Sequence, residues 1–436
     1  MTTVPELKIR WEWEPAPHVR APEHRVTWAR IEISVGSEHV TLVEDRESSS
    51  SRRSIYCPLY PVAEWAAYNW WFLQADARPA RALSLYTPGA YDKGQFRRHC
   101  LRASGDGFLW PNLMIIPQGE RTQVIWHADR SSVSPSRPIR FLTKGEAFPW
   151  RESVEQELTR LISEVLTRLA EQGITGTPLE KEWEEIQRTD PEEAEFCRAA
   201  ARLGLDPYAE AAPYEGLILQ AADDLKGNLL GDFLDAVEPA VMHDALEWVR
   251  AARSDIERAS PPEAAEDLRR ELRSREVPHG ERSWETGWKQ ARAVRQVLGI
   301  GGDQVFPLDS YITSIDRQAA DRALHAVGGT VGGAGPVAVL EYERPMPSRR
   351  FTLSRALWHY LWETDPFFLV TTAYTERLKV ERAFAAELLA PAAGVSELLG
   401  NAPETAVPED LDEIAEHFQV SPMVIKHQLE NQLLAV

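Results

Sequence analysis

The chain has 436 residues, 43% of them hydrophobic and 26% charged, with a net charge of −19 at neutral pH. That length accommodates two to four domains around a large buried core, and no run approaches the 18 apolar residues of a transmembrane helix. Between Glu152 and Glu276 there are 30 acidic against 14 basic side chains, a surface that repels phosphate backbones, so nucleic-acid binding through that stretch is not expected.

The opening MTTVPELKIRWEWEP has no apolar signal core. Cys57, Cys100 and Cys197 show no paired spacing, which argues against a zinc ribbon or a disulfide framework. A cytoplasmic protein is the expectation. Residues 1–150 read as a β-rich N-terminal domain. In RVTWARIEISV, Val26 and Trp28 share one parity and Ile31, Ile33 and Val35 the other, which predicts a bulge near Ala29 or Arg30. RESSSSRR, residues 46–53, reads as a polar loop. YPVAEWAAYNWWFLQ places Trp65, Tyr68 and Phe72 at helical spacing. Such a stripe is either a helix packed on a sheet or an aromatic recognition pocket, and packing is the commoner role. NLMIIPQGERTQVIWHAD reads as a hairpin about the turn Pro117–Glu120.

Residues 151–280 read as an acidic helical domain. SVEQELTRLISEVLTRLAEQG predicts an amphipathic helix ending at Gly173. EAEFCRAAARLGLDPYA, residues 193–209, predicts a helix, a glycine turn and a second helix start. Residues 259–282 predict a charged, mostly solvated helix and connector. GGTVGGAGPVAVL, residues 328–340, lacks the Gly-Lys-Ser/Thr ending of a phosphate loop and predicts a tight turn into the buried strand Val337–Leu340.

The chemistry turns on RRFTLSRALWHYLW, residues 349–362. A helical zinc-hydrolase site carries two histidines four residues apart, a glutamate after the first as general base, and a third ligand from a following helix. Here Arg355 stands where the first histidine belongs, Ala356 where the base belongs and Trp358 where a small residue is common, so only His359 matches. One imidazole cannot hold catalytic zinc, and arginine keeps a permanent charge where the dication would sit.

Four segments resemble the ImmA/IrrE family of metallopeptidases: SWETGWKQARAVRQVLGI (283–300), GPVAVLEYERPMPSRRFTLSRALWHYL (335–361), ERAFAAELLAP (381–391) and LDEIAEHFQVSPMVIKHQLEN (411–431). The resemblance covers about 281–436, with a helical tail from about 405. It implies an α+β chain whose C-terminal domain is zincin-like, and an ancestral activity of zinc-dependent repressor cleavage in prophage, mobile-element or stress control. It implies a third ligand at Val380 or Leu378, counting back from Phe384; Glu376 and Glu381 are nearby but out of phase. Arg355 is expected to pair with Glu376 or Glu381, and Trp358 to fill the cleft. Within the tail, Ser421 reads as an N-cap and Pro422 as the first helical position.

Three functions follow. The first is a catalytically inactive, protein-binding or sensing regulatory component without a cofactor, in prophage control or antiphage defence. The second is a zinc peptidase rebuilt on His359 with Glu363, Glu376 or Glu381. The third is a DNA-binding regulator acting through Lys426, His427 and Gln428 of the tail, against the charge of Glu409, Asp410, Asp412, Glu413 and Glu416. The first is preferred; the sequence names neither the partner nor the oligomeric state.

Overall fold

LKIRWEW makes β1 (Leu7–Trp13), burying Leu7 and Ile9 and leaving Lys8, Arg10 and Glu12 outward. In the computed structural model, which describes residues 4–46, 48–79, 93–129, 138–318, 322–341, 344–400 and 402–434, the chain divides once, into units 1–213 and 214–436. The expected boundaries near 150 and 280 therefore fall inside units. Of the acidic helical stretch, residues 151–213 lie in the first unit and 214–280 in the second.

In the first unit, a short helix α1 (Pro22–Val26) precedes β2 (Trp28–Val35). β2 buries Ala29, Ile31, Ile33 and Val35 and pairs with β1 in unbroken register from Leu7↔Val35 to Trp13↔Ala29. The expected bulge is absent from this register, because Val26 belongs to α1 and its parity says nothing about the strand. β3 (Glu38–His39), β4 (Val43–Asp45), β5 (Ser50–Arg52) and β6 (Ile55–Pro58) follow. β5 lies in the expected polar loop, apart from Glu47, which is outside the described residues. Its ladder to β4 is made by backbone groups and needs no apolar side chain.

Helices α2 (Tyr60–Tyr68), α3 (Trp70–Ala75) and α4 (Lys93–His99) lead to the hairpin of β7 (Asn112–Gln118) and β8 (Arg121–His127). The hairpin was expected. Its turn is shorter than Pro117–Glu120: Gln118 pairs with Arg121, so Gly119-Glu120 makes the reversal, Gly119 at φ +77°. β9 (Ile139–Phe141) joins β4, and β10 (Gly145–Ala147) joins β8. α5 (Arg151–Glu171) is the expected amphipathic helix, burying Val154, Leu158, Leu161, Ile162, Val165 and Leu169 and stopping before Gly173. α6 (Pro178–Arg188) and α7 (Pro191–Arg202) are N-capped by Thr177 and Asp190. No second helix starts within residues 205–209: the Asp206 side chain accepts from the Tyr208 and Ala209 amides and closes a turn.

The second unit opens with α8 (Glu215–Asp224), α9 (Asn228–Ala236), α10 (Met242–Glu257), α11 (Glu263–Arg273) and α12 (Ser283–Leu298). α11 corrects the expectation of a solvated helix. It buries Ala265, Leu268 and Leu272, since three leucine or alanine positions at helical spacing suffice for a packed face among charges. The sheet runs β11 (Thr313–Arg317), β13 (Ala334–Glu341), β12 (Leu324–Val331), β14 (Phe367–Thr371), with only β11 and β13 parallel. Gly332 and Gly333, at φ +59° and +87°, make the expected turn into buried Val337–Leu340. Gly328 is glycine for packing: a Cβ there would run into the Phe368 ring.

α13 (Met346–Trp362) carries the quoted stretch; Tyr342 and Glu343 lie outside the described residues. α14 (Glu376–Leu389), capped by Thr375, α15 (Ala392–Leu398), α16 (Pro408–Phe418) and α17 (Pro422–Gln428) complete the unit. The tail is the expected helix–turn–helix, turning at Gln419 with φ +57°. Pro422 is at the start of α17, but Ser421 makes no side-chain cap bond. Ile414, Phe418, Ile425 and Leu429 are buried in the unit's core. Met423, Lys426 and His427 face outward, whereas Gln428 is buried. No described helix is long and apolar enough to cross a membrane.

Candidate functional site

Arg355 and His359 lie one turn apart on α13, so both side chains leave the same face. They meet Glu381 on α14. Arg355 Nε donates to Glu381 Oε1 at 2.9 Å and Nη2 donates to the same oxygen; His359 Nε2 lies 2.7 Å from Oε2. The three are buried, at 2%, 1% and 0% exposure. Of the two acids expected to pair with Arg355, Glu381 is the one. Glu376 instead accepts from Ser283 Oγ and, at 2.5 Å, from Lys379 Nζ. Glu381 is thus in phase with the site, against expectation. It precedes Phe384 by three residues and Leu388 by seven, so it shares their stripe, while Leu378 packs with Ala236 and Ala373.

The cluster extends in two directions. His359 Nδ1 lies 2.6 Å from Glu363 Oε2, one turn on, and Arg377 Nη1 donates to both Glu363 oxygens at 2.7 and 2.9 Å. Arg377 Nη2 donates to Asp232 of α9. On the other side, Arg355 Nη2 donates to the Thr371 carbonyl of β14 at 2.7 Å, and Nη1 lies 3.1 Å from Nδ1 of His325 on β12. The His359 ring stacks on Phe368 with centroids 4.8 Å apart. Trp358 is a buried ring in the core, and its Nε1 donates to Gln290 at 2.7 Å.

Neighbouring charges and hydrogen-bond partners set the direction in which each group titrates. His359 Nε2 faces Glu381 Oε2, and Nδ1 faces Glu363 Oε2 at 2.6 Å with Arg377 Nη1 farther off at 3.2 Å; the nearer carboxylates accept from both nitrogens and favour the imidazolium, which Arg377 opposes. Burial opposes that charge, and Glu363 and Glu381 outweigh it, raising the imidazole to about 9. His325 Nδ1 faces a guanidinium, which only donates, so that ring is neutral. Burial, then Arg355, Arg344 and Arg382, push it down to about 2. Against burial, His359 and Arg377 hold Glu363 at about 2, and Arg355 and His359 hold Glu381 well below the usual carboxylate range.

This donor set does not fit zinc. A ligating imidazole needs a lone pair, and His359 has spent both nitrogens on carboxylates; the Glu381 carboxylate is filled by Arg355 and His359. Among the described residues no three His, Cys, Asp or Glu side chains are placed to hold a metal ion. What the arrangement does is join α9, α13, α14, β12 and β14 by buried, charge-matched hydrogen bonds. The C-terminus of α13 is held as well: Arg269 and Arg273 of α11 donate to the Glu363 carbonyl at 2.9 and 3.2 Å, cations at the negative end of a helix.

Trp65, Tyr68 and Phe72 do not share one exposed face. Trp65 is buried and its Nε1 donates to the Arg97 carbonyl at 2.7 Å. Phe72 is buried beneath the Arg98 guanidinium, 3.9 Å from the ring centre, while Tyr68 points out at 50% exposure. Sequence reasoning missed Arg377, Asp232 and His325. Arg377 had a signal, being four residues before Glu381 on one helix; the other two are distant in sequence and carry none. Comparison with protein-family models, with curated proteins and with solved structures returns no match for this chain.

Proposed function

We propose that this chain is an ImmA/IrrE-like protein with a zincin-like C-terminal domain whose peptidase centre has become an ion-pair cluster. It acts as a cytoplasmic protein-binding or sensing regulatory component and not as a peptidase. Prophage control or antiphage defence is the setting the resemblance implies. The observation that supports the reading is the convergence of positions 355, 359 and 381 from two helices on one carboxylate, with arginine at 355 and a doubly engaged His359. A net charge of −19 makes a basic protein surface the partner of matching charge.

The test is the metal content of the purified full chain, by elemental mass spectrometry, beside a His359→Ala variant. The reading expects only trace zinc, far below one equivalent, in both. Stoichiometric zinc that disappears in the variant would sink it in favour of a rebuilt peptidase.

A further inference from the structure

We propose that the Arg355 guanidinium is an internal ligand seated in a cation cage, and that the cage binds free guanidinium once the side chain is removed. Three unlike acceptors surround the fork: Glu381 Oε1 takes Nε and Nη2, the Thr371 carbonyl takes Nη2, and His325 Nδ1 takes Nη1. They come from α14, β14 and β12, whereas the arginine comes from α13. Cutting the side chain back to Cβ therefore leaves every acceptor on an element that still has its own packing. Thr371 and Glu381 are fully buried, so water is a poor substitute for the lost donors.

The cage selects for shape as well as charge. A planar cation with N–H groups along its edges meets a carboxylate, a carbonyl and an imidazole nitrogen together, which a hydrated sodium ion does not. It takes a single charge, since Glu381 also serves His359, Arg382 Nη2 already donates to the Thr371 carbonyl at 3.1 Å, and Arg344 and Arg382 both act on His325. The inference rests on this geometry alone and holds whether or not the family reading does.

The experiment follows thermal unfolding of the full-length Arg355→Ala chain in low-millimolar guanidinium chloride, far below denaturing concentrations, against sodium chloride at equal ionic strength. Loss of one partner of a buried pair should lower the midpoint of residues 214–436 on the order of 10 °C. A cation that binds only the folded form then restores part of it. Recovery of several degrees with guanidinium and none with sodium is expected; equal responses overturn the proposal. If the variant does not fold, the wild type decides by nitrogen-15 NMR. A slowly exchanging Arg355 Nε–H supports the seated ligand, and exchange at the rate of free arginine overturns it.

Discussion

Glu381 accepts from two cations on one face of α13, and no water replaces them at 0% exposure. Glu381→Gln keeps the volume and removes the charge, leaving Arg355 and His359 to face a neutral amide. Such a half-broken buried pair costs about 3–5 kcal/mol. Glu376→Gln, at a half-buried site beside Lys379, should cost about 1 kcal/mol or less. Denaturant titration of both variants gives the comparison, and equal losses would contradict the assignment of Glu381 as the centre. The same groups set a pH dependence of known sign. His359 faces Glu363 on its own helix end, Glu381 and Arg377 from α14, and Asp232 from α9. Its folded value of about 9 lies above the ordinary 6.5. Its contribution, about 3 kcal/mol at one unit per 1.36 kcal/mol, is fully present below pH 6.5 and is lost as pH rises through 9. His325 works the other way: held neutral down to about 2, it stabilises above pH 6.5 and opposes folding as pH falls below that. Glu363, held at about 2, adds stability above its ordinary 4.5 that is lost as pH falls through 2. Stability of residues 214–436 should therefore peak near pH 6.5. His359→Gln should flatten the alkaline limb; an unchanged limb would mean that His359 is not the titrating group.

At the scale of elements, α12 and α14 run side by side in the same direction: Gly287 lies against Val380 and Phe384, Arg292 bonds Glu387, and Arg295 bonds the Leu388 carbonyl. The close approach requires glycine at 287, because a Cβ there would run into the Val380 carbonyl, which is backbone and cannot step aside. Gly287→Ala should cost about 1–3 kcal/mol, although alanine favours a helix by about 1 kcal/mol over glycine. An unfolding titration in which the variant gains stability would show that the helices are not packed this closely. Much of this level was legible in the sequence. α13, α5, the β7–β8 hairpin and the tail all rest on local signals: apolar spacing, a glycine stop, a proline at the first helical turn. What was not legible depended on context. Val26 lent its parity to a strand it does not belong to. Tyr68 sits at aromatic spacing yet points outward, since α2 is apolar on nearly every side and spacing alone did not tell which side meets the sheet. Ser421 sits where a cap belongs but makes no side-chain bond. Glu381 was set out of phase by counting ligands back from Phe384, where the apolar stripe itself would have placed it.

For the molecule as a whole, the deciding feature is where the hydrophobic cores stop. One cluster of buried residues runs from Leu7 to Ala201 and another from Ala265 to Leu429, and among the described residues neither crosses the boundary at 213–214. The cluster around Arg355 lies wholly in the second unit, from Asp232 to Glu381. Two separate cores predict two cooperative transitions, one for each unit. Substitutions should then sort by unit. Glu381→Gln should lower only the transition that hydrogen exchange assigns to residues 214–436. Leu158→Ala, which empties a buried position of α5 at a cost of about 2–5 kcal/mol, should lower only the transition of residues 1–213. Hydrogen exchange in mild denaturant, read peptide by peptide, separates the two. Loss of protection across both units from either substitution would show that the chain unfolds as one cooperative body. In that case the ion-pair centre would stabilise the whole protein and not one half of it.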